Sequence, residues 1–304
     1  MKGPATIDAT EPAEQTRRTT QDVVDKTANV SVLILTLNEE INLPACLASV
    51  QWSDDVVVLD SFSQDRTVEI ARAFGARIYQ RRFDGEHGQR SYGLTEIVYK
   101  NAYLYMPDAD EVTPADLRDE ILAIAADPSR PEVAFRVRFK TLFMGQWLRH
   151  SSLYPTWIVR LAKPSRIRFE RETNLRVIAD GPEGELRGHL LHYTFNNGLN
   201  AWFEKHNRYS WHEARESLKS LASDRVDWRE ILRGRGAVRR RALKALSFRL
   251  PCRPLLRFLY MYGLRGGFLD GRSGFVYCRL LMTYETMIVT KMMEIRRREQ
   301  GLPL

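Results

Sequence analysis

Asp108, Asp110 and Glu111 follow directly on the apolar run Ala102-Tyr103-Leu104-Tyr105. A strand that ends in carboxylates sets them at the C-terminal rim of a sheet, where open α/β folds bind their ligands. Two aspartates one residue apart can both reach a hard divalent cation through oxygen. Such a cation would neutralise a diphosphate leaving group. Asp-X-Asp is common in solvated turns, so this cluster gains meaning from two others at strand ends. One is Asn38/Glu39, after Val30–Leu35. The other is Asp60/Ser61/Ser63/Asp65, after Asp55–Leu59. In a doubly wound sheet all three converge on one rim, which favours a ligand site over three unrelated capped helices.

The elements that must position these residues are legible as alternation. Val30-Ser31-Val32-Leu33-Ile34-Leu35 and Val56-Val57-Val58-Leu59 read as short buried strands. Ser63 or Asp65 can cap a helix that begins near Thr67. Residues 76–79 predict a third strand, 89–99 a helix and 101–106 another strand, and Pro114 opens a helix to about Ala126. Short connections between strand and helix predict an α/β fold with a mostly parallel central sheet covered on both faces. Beyond Val133 the alternation fades, with strand-like pieces at 133–139, 156–161 and 186–193. Helices are expected at 200–217, 228–249, 254–264 and 273–297. No Gly-X-Gly-X-X-Gly and no Gly-X-X-X-X-Gly-Lys is present, which disfavours dinucleotide oxidoreductases and P-loop enzymes.

With 304 residues, 44% of them apolar, the chain can bury one large core and carry an appendage. The division expected is a polar, disordered leader (1–29), a sheet domain (30–220) and a basic helical tail (221–304). Cys46, Cys252 and Cys278 lie too far apart for a disulfide framework or a zinc pattern, so a reducing compartment is the expectation. The leader has no apolar core and does not read as a secretory signal. No apolar stretch approaches the roughly 20 residues needed to span a bilayer.

Three segments appear in order and at sensible distances: Ser31-Val-Leu-Ile-Leu-Thr-Leu-Asn-Glu-Glu40, Val57-Val-Leu-Asp-Ser-Phe-Ser-Gln-Asp-Arg-Thr67 and Pro107-Asp-Ala-Asp-Glu111. As a set they resemble the inverting family 2 glycosyltransferases over about residues 30–215, and in particular the bacterial lipopolysaccharide-core and exopolysaccharide enzymes. The resemblance implies a GT-A nucleotide-diphospho-sugar transferase fold. It implies that Asn38, Glu39 and Asp60 contact the uridine part of a donor, and that Asp108 and Asp110 hold ribose and a divalent metal, Mn²⁺ or Mg²⁺. Gln89 and Arg90 match a segment beside nucleotide and sugar, and Trp157 and Arg160 a strand facing the acceptor. Core packing is an equal reading for Trp157, and a surface helix charge for Arg90.

Inversion at an anomeric carbon is a single displacement and needs a carboxylate base near the acceptor hydroxyl. The family's Glu-His pair is missing from Arg171-Glu172-Thr173-Asn174-Leu175-Arg176. Glu172 is the first candidate and Glu111 the second, and loss of the base is a third alternative. His189 and His192 lie three apart on a predicted strand, hence on opposite faces, so they do not form a two-histidine metal site. Lys205, His206, Asn207 and Tyr209 fall on a helix where they either line an acceptor cleft or meet solvent.

Residues 229–268 carry eleven basic side chains against one acid, Glu230, a local net charge of +10 in a chain whose total is +8. Interleaved leucines and phenylalanines make this segment read as an amphipathic arm for an anionic membrane surface. Together with the resemblance, the arm suggests a cytoplasmic protein, peripheral at the inner face of the plasma membrane, acting on a lipid-linked or cell-envelope saccharide. A basic nucleic-acid-binding protein on a degenerate scaffold is the rival reading. The arm's aliphatic content and the carboxylate rim speak against it.

Overall fold

The computed structural model describes residues 29–170, 176–223 and 252–304, with six isolated positions between 231 and 247. The expected leader, the helix proposed over 228–249 and the candidate base Glu172 therefore lie outside the described residues or nearly so.

The first half alternates as the sequence implies. β1 (Val30–Thr36), α1 (Leu43–Ser49), β2 (Val56–Asp60), α2 (Thr67–Ala73), β3 (Arg77–Gln80), α3 (Glu86–Thr95) and β4 (Tyr103–Tyr105) build a parallel wing ordered β3-β2-β1-β4. The strands are short apolar runs because both faces are covered. On β1, Val32 and Ile34 enter one core with Leu43 and Leu47, while Leu33 enters the other with Val57, Leu59 and Leu104.

The second half is mixed. β5 (Glu111–Val112), α4 (Ala115–Ala125), β6 (Ala134–Phe143), β7 (Gln146–Trp147), β8 (Trp157–Ala162) and β11 (Glu183–His192) extend the sheet in the order β4-β8-β6-β11-β5, with β7 paired to β6. β9 (Ile167–Glu170) and β10 (Arg176–Ala179) form a separate antiparallel pair. β8 runs antiparallel to both β4 and β6, so β6 and β11 point the same way as the parallel wing. The sheet is thus mostly parallel in strand direction. β5 is an addition to the expected elements: the last acid of the cluster, Glu111, and Val112 turn back to pair with the end of β11, Glu111 opposite His192. The strand-like pieces expected at 133–139 and 186–193 prove to be ten-residue strands.

After the sheet, α5 (Gly198–Ser223) is followed by α6 (Arg253–Leu259) and α7 (Gly271–Glu299). The helix expected over 254–264 stops at Leu259 and continues as a wide π-type turn, Tyr260–Leu264. α7 packs along α5 through Ala214, Ile288 and Met292, and Leu280 joins Trp202, Phe143 and Leu148 beside the sheet. The C-terminal helix therefore covers the sheet domain. Ile288 is 2% exposed, and Ile288→Ala is expected to cost about 2–5 kcal/mol of stability, measured by denaturant unfolding. No described helix is long and apolar enough to cross a membrane.

Candidate active site

The loops after β1, β2 and β4 meet on one rim because their strands are neighbours in register. Thr36 at the end of β1 lies opposite Asp60 at the end of β2, and Leu35 bridges to Asp108. Strand spacing then sets Asp60 and Asp108 about 10 Å apart.

Asp60 is fully buried and organises its own loop. Its oxygens accept from Thr36 Oγ1 (3.0 Å), Ser63 N (3.0 Å) and Gln80 Nε2 (3.1 Å). Asn38 adopts a left-handed backbone (φ 58°) that lets its N–H reach Ser63 Oγ (2.8 Å) while its Oδ1 accepts from Gln64 N (2.8 Å). Asp65 Oδ1 accepts from Thr67 N at 3.0 Å; the cap position itself is Arg66, so Asp65 holds the first turn from one residue outside the expected place. These bonds lace the first two loops together. Glu39 accepts from Asn42 Nδ2 (2.8 Å) and from Asn197 Nδ2 (3.3 Å) at the start of α5. Burial, helped by the charge of Asp110, pushes the Glu39 carboxyl up.

Beneath the third loop lies an arginine-carboxylate network. Arg160, on β8, is 2% exposed. Its guanidinium donates to Glu111 Oε1 at 2.7 Å and pairs with Asp108. Arg90 reaches the other Asp108 oxygen (2.7 Å) and is itself held by Glu86 (3.1 Å). Burial opposes ionisation of Asp108, but the two guanidinium groups outweigh it and hold its carboxyl well below the usual range. Glu111, 1% exposed, also accepts Asp108 N–H at 2.9 Å, and burial pushes its carboxyl up.

These contacts revise several expectations. Arg160 is a buried counter-ion and has no access to an acceptor. Glu111 has both oxygens engaged under the rim, which removes it as a general base. Asp108 has one oxygen on each of two guanidinium groups, which makes it first a charge partner of Arg90 and Arg160. Gln89 is buried, donating to Ser61 Oγ (2.7 Å) and Arg81 O (2.9 Å), and so ties the helix to the second loop. Trp157 stands at the start of β8 with the Arg138 guanidinium 4.9 Å from its ring centre.

Asp110 meets a partner that the spacing argument does not see. His189 and His192 do point apart, since His189 bonds Tyr154 (2.8 Å). His192 Nε2, however, lies 3.3 Å from Asp110 Oδ2, and its buried Nδ1 has no hydrogen-bond partner. The cue in the sequence was a strand ending in His192 directly before Tyr193, whose N–H bonds Asp110 O (2.8 Å). Among the described residues no group of three or more acidic, histidine or cysteine side chains is arranged to hold a metal. A divalent cation at this rim would find one carboxylate, Asp110, and one imidazole, His192, whose Nε2 also contacts Thr194 Oγ1 (3.1 Å).

Burial works against charge on His192, but the bond to Asp110 and the charges of Asp110, Glu111 and Asp108 carry its pKa above the usual value. A raised imidazole pKa stabilises the fold below about pH 6.5, and that contribution is lost as pH rises through the folded value. The imidazole titrated by NMR should show a midpoint above about 6.5, falling in Asp110→Asn. A midpoint at or below the ordinary value would rule out the ion pair. Cation binding through His192 should tighten as pH rises through the same midpoint.

Residues 31–181 match the family described as Glycosyl transferase family 2. An uncharacterized glycosyltransferase from Rickettsia bellii is 34% identical over 37% of this chain, a match that spans only 38% of that protein. The lipopolysaccharide core biosynthesis glycosyltransferase LpsC of Rhizobium meliloti is 23% identical over 86% of this chain and 91% of its own length. Among solved structures, the mannosyltransferase PcManGT from Pyrobaculum calidifontis, in complex with GDP-Man and Mn²⁺, is 16% identical over 87% of both chains, with a TM-score of 0.46. The rim of loops after parallel strands and the match over residues 31–181 lead to one conclusion: the chain belongs to glycosyltransferase family 2 and is a transferase of GT-A fold.

Proposed function

We propose that the protein transfers a hexose from a UDP-linked sugar, with inversion, to a hydroxyl of a lipid-linked or cell-envelope saccharide. The observation that carries this reading is Asp110 on the rim, partly exposed and, among the described residues, ion-paired with His192 alone, above a network that satisfies its acidic neighbours. A divalent ion bound there, Mn²⁺ or Mg²⁺, would supply neutralising charge to the diphosphate. Asp110 and His192 would hold it. Arg90 lies beside Asp108, at the edge where a diphosphate or sugar hydroxyl would lie. The loop of Asn38 to Glu40 and that of Ser61 to Asp65, fixed against each other, form a rigid shelf for the nucleoside.

In the transfer itself the acceptor oxygen forms a bond to the anomeric carbon as the bond to the phosphate oxygen breaks. The nucleoside diphosphate leaves with that electron pair, and the acceptor proton passes to a carboxylate base. Glu172 is the residue to test as that base. The LpsC relative acts in lipopolysaccharide core biosynthesis by its name, and this chain covers most of it, which supports an envelope saccharide as acceptor. We place the protein in the cytoplasm, peripheral at the inner face of the membrane that carries such acceptors.

The test is a panel of nucleotide sugars screened for Mn²⁺- or Mg²⁺-dependent binding and slow hydrolysis, which needs no acceptor. One nucleotide sugar should stand out, and chelation should abolish its turnover. Indifference to every sugar in the panel, or turnover that persists under chelation, would remove the reading.

A further inference from the structure

Between α6 and α7 the chain displays apolar side chains on a braced scaffold. Leu264 is 85% exposed, Leu269 62% and Phe268 53%, with Leu255, Leu259 and Tyr260 exposed beside them. Loose packing does not account for this. The short turn Gly267–Asp270 is pressed against its neighbours: a Cβ on Gly267 would fall 2.7 Å from Met261 O, and one on Gly274 would fall 2.2 Å from Gly267 O. Asp270 clamps the turn to the sheet domain, accepting from His150 N (2.9 Å) and Ser151 N (2.8 Å). Rings brace it further, with Tyr262 5.3 Å from Phe258 and 5.5 Å from Phe275. Three large side chains are therefore held in solvent by a backbone that cannot retract them.

The charge around this knob is mostly of one sign, with Arg253 alone answered by Glu285 of α7 at 2.9 Å. Residues 253–279 contain Arg253, Arg257, Arg265, Arg272 and Arg279, and their single acid is Asp270, buried and committed to the clamp. Exposed aliphatic and aromatic residues ringed by cations match the boundary between anionic headgroups and acyl chains. A second copy fits poorly, because a two-fold contact would bring Arg265, Arg272 and Arg279 together, while the acids nearby, Asp270 and Glu285, are already committed within the chain. Nucleic acid fits poorly too, since its bases stack on exposed rings and Leu264 and Leu269 offer none.

We infer that this knob docks on an anionic lipid surface, Leu264, Phe268 and Leu269 entering the headgroup boundary and the surrounding arginines meeting lipid phosphates. The docking deepens the envelope-acceptor reading, from which it takes its purpose. Arg272 and Val276 also line a cavity of about 760 Å³ with Phe143, Met144, Tyr193 and Leu199. Tyr193 is the residue whose N–H bonds Asp110 O, so the cavity lies between the start of α7, two residues past the knob, and the residue next to the rim. A saccharide carried on a lipid in the docked surface would approach the site from that side.

The full chain should sediment with vesicles of phosphatidylcholine and phosphatidylglycerol and far less with phosphatidylcholine alone. Leu264→Asp combined with Phe268→Ser should weaken that binding about 10²-fold. Arg265→Glu with Arg272→Glu should weaken it about tenfold on the anionic vesicles. Val98→Asp, an equally exposed apolar site at the opposite end of the sheet, should change nothing. Unchanged thermal unfolding and unchanged lipid-free hydrolysis of the nucleotide sugar keep misfolding apart from lost docking.

The inference falls if the chain ignores anionic vesicles, binds neutral ones equally, or binds as tightly after the Leu264 and Phe268 changes. It also falls if those changes dissociate a dimer, which would make the knob a contact between copies. Vesicle binding without any sugar-nucleotide turnover would leave the docking intact and remove only the proposed donor reaction.

Discussion

Arg160→Met is expected to lower the free energy of unfolding by about 3–5 kcal/mol at neutral pH, the size found when one partner of a buried ion pair is removed. Arg160 donates to Glu111 and pairs with Asp108, and both it and Glu111 are almost wholly buried. Without the guanidinium, Glu111 keeps only the Asp108 N–H and sits beside a like charge. Its carboxyl, already pushed up by burial, must rise further. A carboxyl raised on folding weakens the fold as pH climbs through its folded value, so the defect should be largest at neutral pH and shrink toward acid. Adding Glu111→Gln should restore more than half of the loss, because the amide removes the charge and can still accept the Asp108 N–H. Denaturant unfolding across pH measures all three. A loss under about 1 kcal/mol, or one independent of pH, would mean the network does not hold the third loop.

Asp110→Asn should cut divalent-dependent turnover by roughly 10²-fold or more, several kcal/mol of leaving-group stabilisation, with little effect on folding. The residue sits at the edge of the network, partly exposed, and the isosteric amide keeps the loop's shape. Stability should fall by no more than about 1 kcal/mol, the value of one hydrogen bond to His192. Asp108→Asn offers the contrast. That change removes the charge between two guanidinium groups and should lower stability first, activity following the fold. Thermal unfolding and hydrolysis measured on both variants separate the roles. Full turnover by Asp110→Asn would end the assignment of that carboxylate to the cation, while equal stability losses in both would make the two aspartates one structural unit.

The sequence by itself determined the rim. Val30–Leu35, Val56–Leu59 and Ala102–Tyr105 are apolar apart from Ser31, which suits strands buried on both faces, and each leads within three residues into polar ones. Short connections leave parallel strands side by side, so Asn38, Asp60, Asp108 and Asp110 had to emerge along one edge. What those residues do there is a matter of partners, and only the tertiary structure chose them. Arg160 lies 52 residues from Asp108 in sequence and His192 is on β11, three strands along the sheet from β4, so no local spacing links them to the acids they meet. An aspartate on a strand end reads the same whether it will hold a cation or a guanidinium. The difference between Asp108 and Asp110 arises because β8 passes antiparallel under one while β11 ends beside the other. For the same reason the basic tail read as an arm, while packing of α7 on α5 and on Leu148 decided which of its apolar residues are covered and which remain at the surface.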